Sequence, residues 1–363
     1  MSKNNTDILI VGGGIAGCIA AISLVGSHRV TLIDKRLEPI ERIGESLAPA
    51  AKRVLSELDL LQELESQSPP IFRQNFAMQS YWGSDTVQVV DHMRNPDGYV
   101  KSLDRKAFEQ FLRNSAESRG VECLWGTALQ SSAFDETKQT WSVEVKSNEG
   151  EALQISANYI IDASGRQSHF ARSIGVKREV VDKLIACWVT LPNAEENKMS
   201  TIASGPNGWW YSAVVPNGKR VVAFHTDSDL FDKSALKSVD SFLDFAQENE
   251  QMRKILQGRE EEIEYQGITA ANSTKLQVVA GKRWAAIGDA AVSLDPLSSQ
   301  GMFNAMASAM QLKHLIAECS FKDEVARLYS QQMEQVWEQY LHHRSVFYGG
   351  ETRWLSEFWR RRR

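Results

Sequence analysis

Ile8-Leu9-Ile10-Val11-Gly12-Gly13-Gly14-Ile15-Ala16-Gly17 runs from a short apolar stretch through a glycine turn into a small-residue helix pattern. A second apolar run, Val30 to Ile33, is closed by Asp34. This is the pattern of a dinucleotide-binding strand–helix–strand unit. Gly12 permits the tight turn out of the strand, Gly14 lets the backbone approach a pyrophosphate, and Gly17 lets the helix lie close to the sheet. The phosphates would rest over unpaired N–H groups at the helix N-terminus. Asp34, twenty residues past Gly14, is placed to accept hydrogen bonds from an adenosine ribose, and Lys35 beside it joins the cofactor-binding set. An acid at that position favours an unphosphorylated ribose, so FAD or NAD is expected in preference to NADP.

The 363 residues, 42% hydrophobic and 24% charged, can bury a large core and exceed the usual size of one. Two intimately joined domains are therefore expected. A net charge of −5 gives no support for a nucleic-acid role. The one conspicuous basic cluster, Arg360-Arg361-Arg362-Arg363, reads as a solvated tail. The four cysteines, Cys18, Cys123, Cys187 and Cys319, lie far apart without CxxC spacing, which points to a reducing compartment and no metal site. The N-terminal residues enter the first strand with no room for a secretory apolar segment, and no apolar run reaches membrane-spanning length. A cytoplasmic protein with no membrane or nucleic-acid partner is expected.

Along the chain, Ala50 to Glu65 carries a helical apolar pattern, and Ile71 to Val90 alternates like a strand or hairpin of a second sheet. Asp104 is placed to cap a helix that turns Phe108, Phe111 and Leu112 inward. Tyr159 to Asp162 reads as a strand returning to the nucleotide unit. From Leu184 to Asp227 the sequence is rich in strand formers, including Gly208-Trp209-Trp210-Tyr211, the natural roof of a substrate chamber. Strand alternation allows only one face of Trp209, Trp210 and Tyr211 to line it. Leu236 to Leu256, Gly301 to Cys319 and Glu324 to about Leu355 read as helices. The aromatic C-terminal segment reads either as a surface for a large protein substrate or as helices packed across the substrate domain.

Three separated blocks carry a resemblance: the glycine loop, Asp162-Ala163-Ser164-Gly165, and Gly288-Asp289 with Asp295-Pro296-Leu297-Ser298-Ser299-Gln300-Gly301-Met302. Together they resemble the FAD-dependent aromatic hydroxylase and halogenase superfamily. The resemblance implies an α/β fold: a Rossmann-like FAD-binding domain of the p-hydroxybenzoate hydroxylase type, an interleaved substrate domain on a mostly antiparallel sheet, and C-terminal helices. The implied division is residues 1–70, 98–180 and 275–320 for FAD, 71–97 and 181–274 for substrate, and 321–363 for the helical segment. It also implies that Asp289 holds the ribityl or pyrophosphate side of FAD, with Asp162 and Gly165 nearby. Pro296, Gly301 and Met302 would lie beside the isoalloxazine, and Arg42, Ser46 and Arg105 along the pyrophosphate and ribityl region. The helix opening at Gly301 is suited to the negative charge of reduced flavin.

Within that superfamily, Gly44-Glu45-Ser46 and Gly208-Trp209-Trp210-Tyr211 resemble the halogenase side. Halogenases of tryptophan use a lysine some tens of residues beyond the early Gly-Glu-Ser, whereas no lysine occurs between Lys52 and Lys101 and the corresponding stretch reads Phe72-Arg73-Gln74-Asn75. The sequence is more similar to compact flavoproteins encoded with quinone-cofactor oxidases, such as those that mature lysine ε-oxidase and glycine oxidase. The implied function is oxygenation of a tryptophan in a precursor of such an oxidase, towards cysteine tryptophylquinone. Reduced FAD, regenerated by NAD(P)H or a partner reductase, would use O2 as cosubstrate, and Glu45 and His225 are candidate bases for the ring proton. The alternatives are a small-molecule aromatic hydroxylase or halogenase, and a flavin dehydrogenase or reductase.

Overall fold

The computed structural model describes residues 3–92, 95–193, 198–230 and 236–363. The first sheet is built around the strand Lys3–Val11, which lies parallel to Val30–Asp34 on one side and to Ala152–Asp162 on the other. Glu122–Trp125 and Trp284–Ala286 extend the parallel core, and the antiparallel pair Thr127–Asp135 and Thr140–Ser147 joins Ala152–Asp162. Ile8, Leu9 and Ile10 are fully buried, which is why their strand reads as an unbroken apolar run. The helix Ile15–Leu24 is apolar all round because the sheet covers one side and the helix Gly301–Cys319 packs on another.

The second sheet runs in the order Glu264–Ala270, Leu184–Pro192, Lys219–Asp227, Gly208–Val214, Ser200–Gly205, Ala77–Tyr81 and Gln88–Asp91. It is antiparallel except where Ser200–Gly205 meets Ala77–Tyr81. The early segment thus sends a hairpin into the second sheet, as its alternation predicts. Its first strand, Phe72–Asn75, goes elsewhere: it joins Val100–Leu103 and Ser46–Leu47 in a small sheet between the two large ones. This is the two-domain α/β arrangement expected of an FAD-binding and a substrate-binding unit. The ranges 71–97 and 181–274 include residues 93–94, 194–197 and 231–235, which lie outside the described residues.

Several elements differ from the sequence expectation. The predicted helix from Ala50 to Glu65 is two short ones, Ala51–Glu57 and Leu61–Glu65, because Asp59 turns the chain with φ +54°. Leu236–Leu256 likewise breaks into Val239–Gln247 and Glu250–Leu256, where Asn249 accepts from Met252 N and caps the second. The C-terminal helix ends at Gly349, and a last short turn, Glu357–Arg360, follows. The Asp104 cap is as predicted, its carboxylate accepting from Ala107 N at 2.9 Å.

Candidate functional site: two helix N-termini beneath an aromatic roof

At the end of the first strand Gly12 adopts φ +113°, and a Cβ there would sit 2.4 Å from Ala163 O. A Cβ on Gly17 would meet Gly12 O at 1.8 Å, so the helix lies against the turn as its small residues require. Gly13, which the sequence reading left without a role, is equally constrained: its Cβ would lie 2.4 Å from the Trp125 ring. Gly14 differs, since a Cβ there would meet nothing within 4 Å. Open space therefore adjoins a helix start that has no side-chain cap and no acid in its first turn.

The second helix N-terminus has the same character. Gln300 contributes no cap bond, the first turn of Gly301–Cys319 has no acid, and Gly301 faces open space. Gly288, at φ +56°, joins the two helices: its Cβ would lie 3.0 Å from Ala16 Cβ and 3.3 Å from Ala305. Ala16 is the second residue of its helix and Ala305 the fifth of its own, so the N-terminal portions of the two helices converge around one glycine. That pair suits a ligand carrying a pyrophosphate and a second electron-rich edge, as FAD does.

Around these ends the acids divide into two kinds. Asp34 accepts from Gly13 N at 2.7 Å and Arg36 N at 2.8 Å, with the Arg113 guanidinium 3.4 Å away. Arg113 also donates to Gly13 O, Arg36 O and Leu37 O and stacks on Trp125. It organises the glycine loop, and the signal for it was its i, i+4 spacing from Glu109 on the inward face of a helix. Asp289 is partly exposed, 3.6 Å from Arg166 Nε. Asp162 is fully buried and satisfied by Ser164 N, Ser164 Oγ and Ala171 N. Through these bonds it ties down the turn after its strand. Gly165, with φ +68° and open space at its Cβ, belongs to that turn.

Lys35 and Arg42 are exposed, whereas Pro296 is half-buried and Met302 buried behind Gly301. Arg105 donates to Ile43 O and Gly44 O and pairs with Glu109 at 2.7 Å. It thereby holds the Gly44-Glu45-Ser46 segment. If Asp289 faces the cofactor, Asp289→Ala will weaken FAD retention in equilibrium dialysis without lowering the thermal midpoint of the FAD-free protein. Unchanged retention would remove Asp289 from the site.

The roof resolves the aromatic triplet. Trp210 is buried on the far face against Phe224 and Phe242. Trp209 lies on the opposite face, buried and stacked on His225 with centroids 3.6 Å apart. Trp82 packs edge-on to it, and Tyr348 accepts its indole N–H. Both tryptophans are therefore wall and packing residues. Tyr211 is half-buried, and its hydroxyl interacts with Glu45 and Ser46. Burial pulls the His225 imidazole down to about 3, so it is a weak proton acceptor enclosed in a stack. Glu45, the other candidate base, is 2% exposed; its Oε1, like His225 Nδ1, has no hydrogen-bond partner among the described residues. Desolvation raises the Glu45 pKa, against the opposing effects of backbone N–H groups, Tyr211 and Arg105.

Of the four C-terminal arginines Arg360 is exposed as a solvated tail would be, whereas the other three are held by partners in the fold. Arg362 is buried in an ion pair with Asp227, Arg361 lies 2.8 Å from Asp229, and Arg363 donates to Glu351 O and Trp354 O. Phe358 and Trp359 are fully buried, and Trp359 Nε1 donates to Gly205 O. The segment is packed across the second sheet.

These features suit an FAD-dependent oxidoreductase. The chain belongs to the family described as FAD binding domain, whose model matches residues 5–343. It is 29% identical over 364 residues to the FAD-dependent oxidoreductase LodB of Marinomonas mediterranea, covering 98% of this chain and 96% of that one. It is 27% identical over 333 residues to a tryptophan 2-halogenase of Chondromyces crocatus, covering 89% of this chain and 62% of the longer relative. In fold it is similar to the flavin-dependent halogenase CmlS, with TM-score 0.85, 24% identity and coverage of 99% and 68%. It is also similar to QhpG, a peptidyl tryptophan dihydroxylase essential for tryptophylquinone cofactor biogenesis, with TM-score 0.79, 20% identity and coverage of 99% and 78%. At those identities the two structures show a shared fold. No helix among the described residues is long and apolar enough to cross a membrane.

Proposed function

We propose that this chain is an FAD-dependent oxygenase or halogenase of an electron-rich aromatic ring. When bound and reduced, FAD would supply, with O2, the electrophilic oxygen. The glycine loop and the Gly301 helix would hold the cofactor, with Asp289 and Arg166 at its polar middle. The half-buried Tyr211 and the strand behind it would exclude water from the reacting ring. Glu45 would take the ring proton at Oε1 after substitution. The single observation that carries this assignment is the buried Glu45 carboxyl group, which interacts with Tyr211 while its Oε1 has no hydrogen-bond partner among the described residues. On this reading residues 1–70, 98–180 and 275–320 form the cofactor unit, 71–97 and 181–274 the substrate unit, and 321–363 its brace.

The tryptophan-halogenase likeness and the halogenase folds support ring chemistry on a small or carrier-held aromatic more broadly than they support any one substrate. One observation favours a second, narrower reading. The stretch between Lys52 and Lys101 holds no lysine, the residue that the halogenase resemblance calls for. We infer from it, with the QhpG fold, oxygenation of a tryptophan in the precursor of a quinone-cofactor amino-acid oxidase. The test is to incubate FAD-loaded protein with NADH, a flavin reductase and O2, offering in parallel free indoles and phenols with and without bromide, and an unmodified oxidase precursor. Oxygen or bromine on a free ring supports the first reading, and oxygen on a precursor tryptophan supports the second. Cofactor oxidation with no ring product from either would overturn both.

A further inference from the structure

Tyr348 lies fully buried in the last turn of the helix Asp323–Gly349. Its hydroxyl donates to Asp295 Oδ2 at 2.7 Å and accepts from Trp209 Nε1 at 3.1 Å. The other Asp295 oxygen accepts from Leu297 N at 2.9 Å and caps the turn Pro296–Ser298. That turn continues through Ser299, at φ +51°, into the uncapped helix at Gly301. The Asp295 backbone N–H donates to Tyr340 Oη at 3.0 Å, so the same C-terminal helix grips the segment twice. A single hydroxyl thus links the turn assigned to the flavin edge with the stacked Trp209 and His225 of the roof. Neither cofactor binding nor proton transfer, as derived above, makes use of it.

We propose that Tyr348 is a positioning residue that fixes the 295–302 turn against the Trp209 strand, so that the flavin edge and the substrate wall keep one relative placement. This rests on the reading of that turn as flavin-facing. A phenol is suited to the task because one O–H can donate to a carboxylate while its lone pairs accept from an indole N–H. Phenylalanine makes neither bond yet retains the ring contacts with Trp82, Phe358 and Trp359. Asp295 is faced by Arg344, 3.7 Å away, and by Tyr340 and Tyr348 from the C-terminal helix. Asp182 faces it from the segment before Leu184, and Arg362 lies beyond the Tyr348 ring. Burial raises the Asp295 carboxyl, and the Tyr348 bond opposes that rise.

The test is titration of the FAD-free protein with FAD, followed by flavin fluorescence, across pH and without turnover. Tyr348→Phe and Asp295→Asn are each expected to weaken FAD binding roughly tenfold, the scale of one hydrogen bond to a charged group. The double variant should be no weaker than Asp295→Asn alone, because both changes break one link. Asp295 loses its charge at higher pH once Tyr348 no longer donates to it. The acid limb of FAD affinity should therefore move to higher pH in Tyr348→Phe and vanish in Asp295→Asn. Gly301→Val serves as the reference, since its side chain would fill the open space at the helix start. Weakened binding in Gly301→Val with unchanged affinity and pH profile in Tyr348→Phe would overturn the positioning role alone. Unchanged binding in Gly301→Val would overturn the flavin-facing turn and the proposal together.

Discussion

Glu45→Gln is expected to lose about 100-fold or more in kcat, the usual contribution of a positioned general base, while FAD affinity stays unchanged. The amide keeps the volume of the side chain and can still accept from Gly44 N, which lies 3.2 Å from Glu45 Oε2. It cannot take a proton from a substituted ring. The pH dependence has a defined sign. A base must be ionised to act, and desolvation raises Glu45 above its ordinary carboxylate value of 4.5. Activity should therefore fall as pH falls through that raised value, at a higher pH than an exposed glutamate would give. The Tyr211 interaction opposes the rise, so Tyr211→Phe should move the acid limb to still higher pH. Rates of ring-product formation measured across pH decide the matter. Full turnover in FAD-loaded Glu45→Gln would remove Glu45 from the reaction.

The second large effect concerns folding. Arg362→Ala is expected to cost about 3–5 kcal/mol of stability, as removal of one partner of a buried ion pair does. Arg362 and Asp227 are 3% and 1% exposed. Two guanidinium nitrogens reach the carboxylate, one of them at 2.9 Å, and a further bond goes to Phe358 O. The guanidinium also lies 3.8 Å from the Phe358 ring centroid. Without it the remaining ion-pair partner of Asp227 among the described residues is Arg361, 3.4 Å away, at the end of a strand central to the second sheet. The double variant Asp227→Leu/Arg362→Met should recover much of the loss, because it leaves no uncompensated charge. Denaturant unfolding of the FAD-free proteins measures both. An unchanged midpoint in Arg362→Ala would show that the buried pair contributes nothing net. Deleting residues 356–363 removes the pair together with Phe358 and Trp359, so the truncated chain should be destabilised before any effect on a protein substrate can be read.

The nucleotide unit was legible because its constraints are local. A Cβ at Gly12 or Gly17 collides with backbone a few residues away or with the adjoining strand, so glycine spacing carries the geometry directly. The apolar runs, the Asp104 cap and the alternation of Trp209, Trp210 and Tyr211 were readable for the same reason: period and capping act over a few residues. The helix breaks at Asp59 and Asn249 were less legible, because an apolar pattern persists across a turn that one residue closes.

The amino-acid sequence by itself determined a dinucleotide-binding α/β core, a second mostly antiparallel sheet and a flavin-type block beginning at Gly288. Only the tertiary structure decided which charged and aromatic residues are consumed in internal pairs. Asp162, Arg105, Trp209, His225 and Arg362 all carry chemistry that suits a site. Each instead meets a partner brought from elsewhere in the fold or held by a turn, as Arg362 meets Asp227 across 135 residues. Glu45 differs: closure of the fold buries it while leaving one oxygen without a hydrogen-bond partner among the described residues. Burial and pairing depend on contacts distant in sequence, and no local pattern records them.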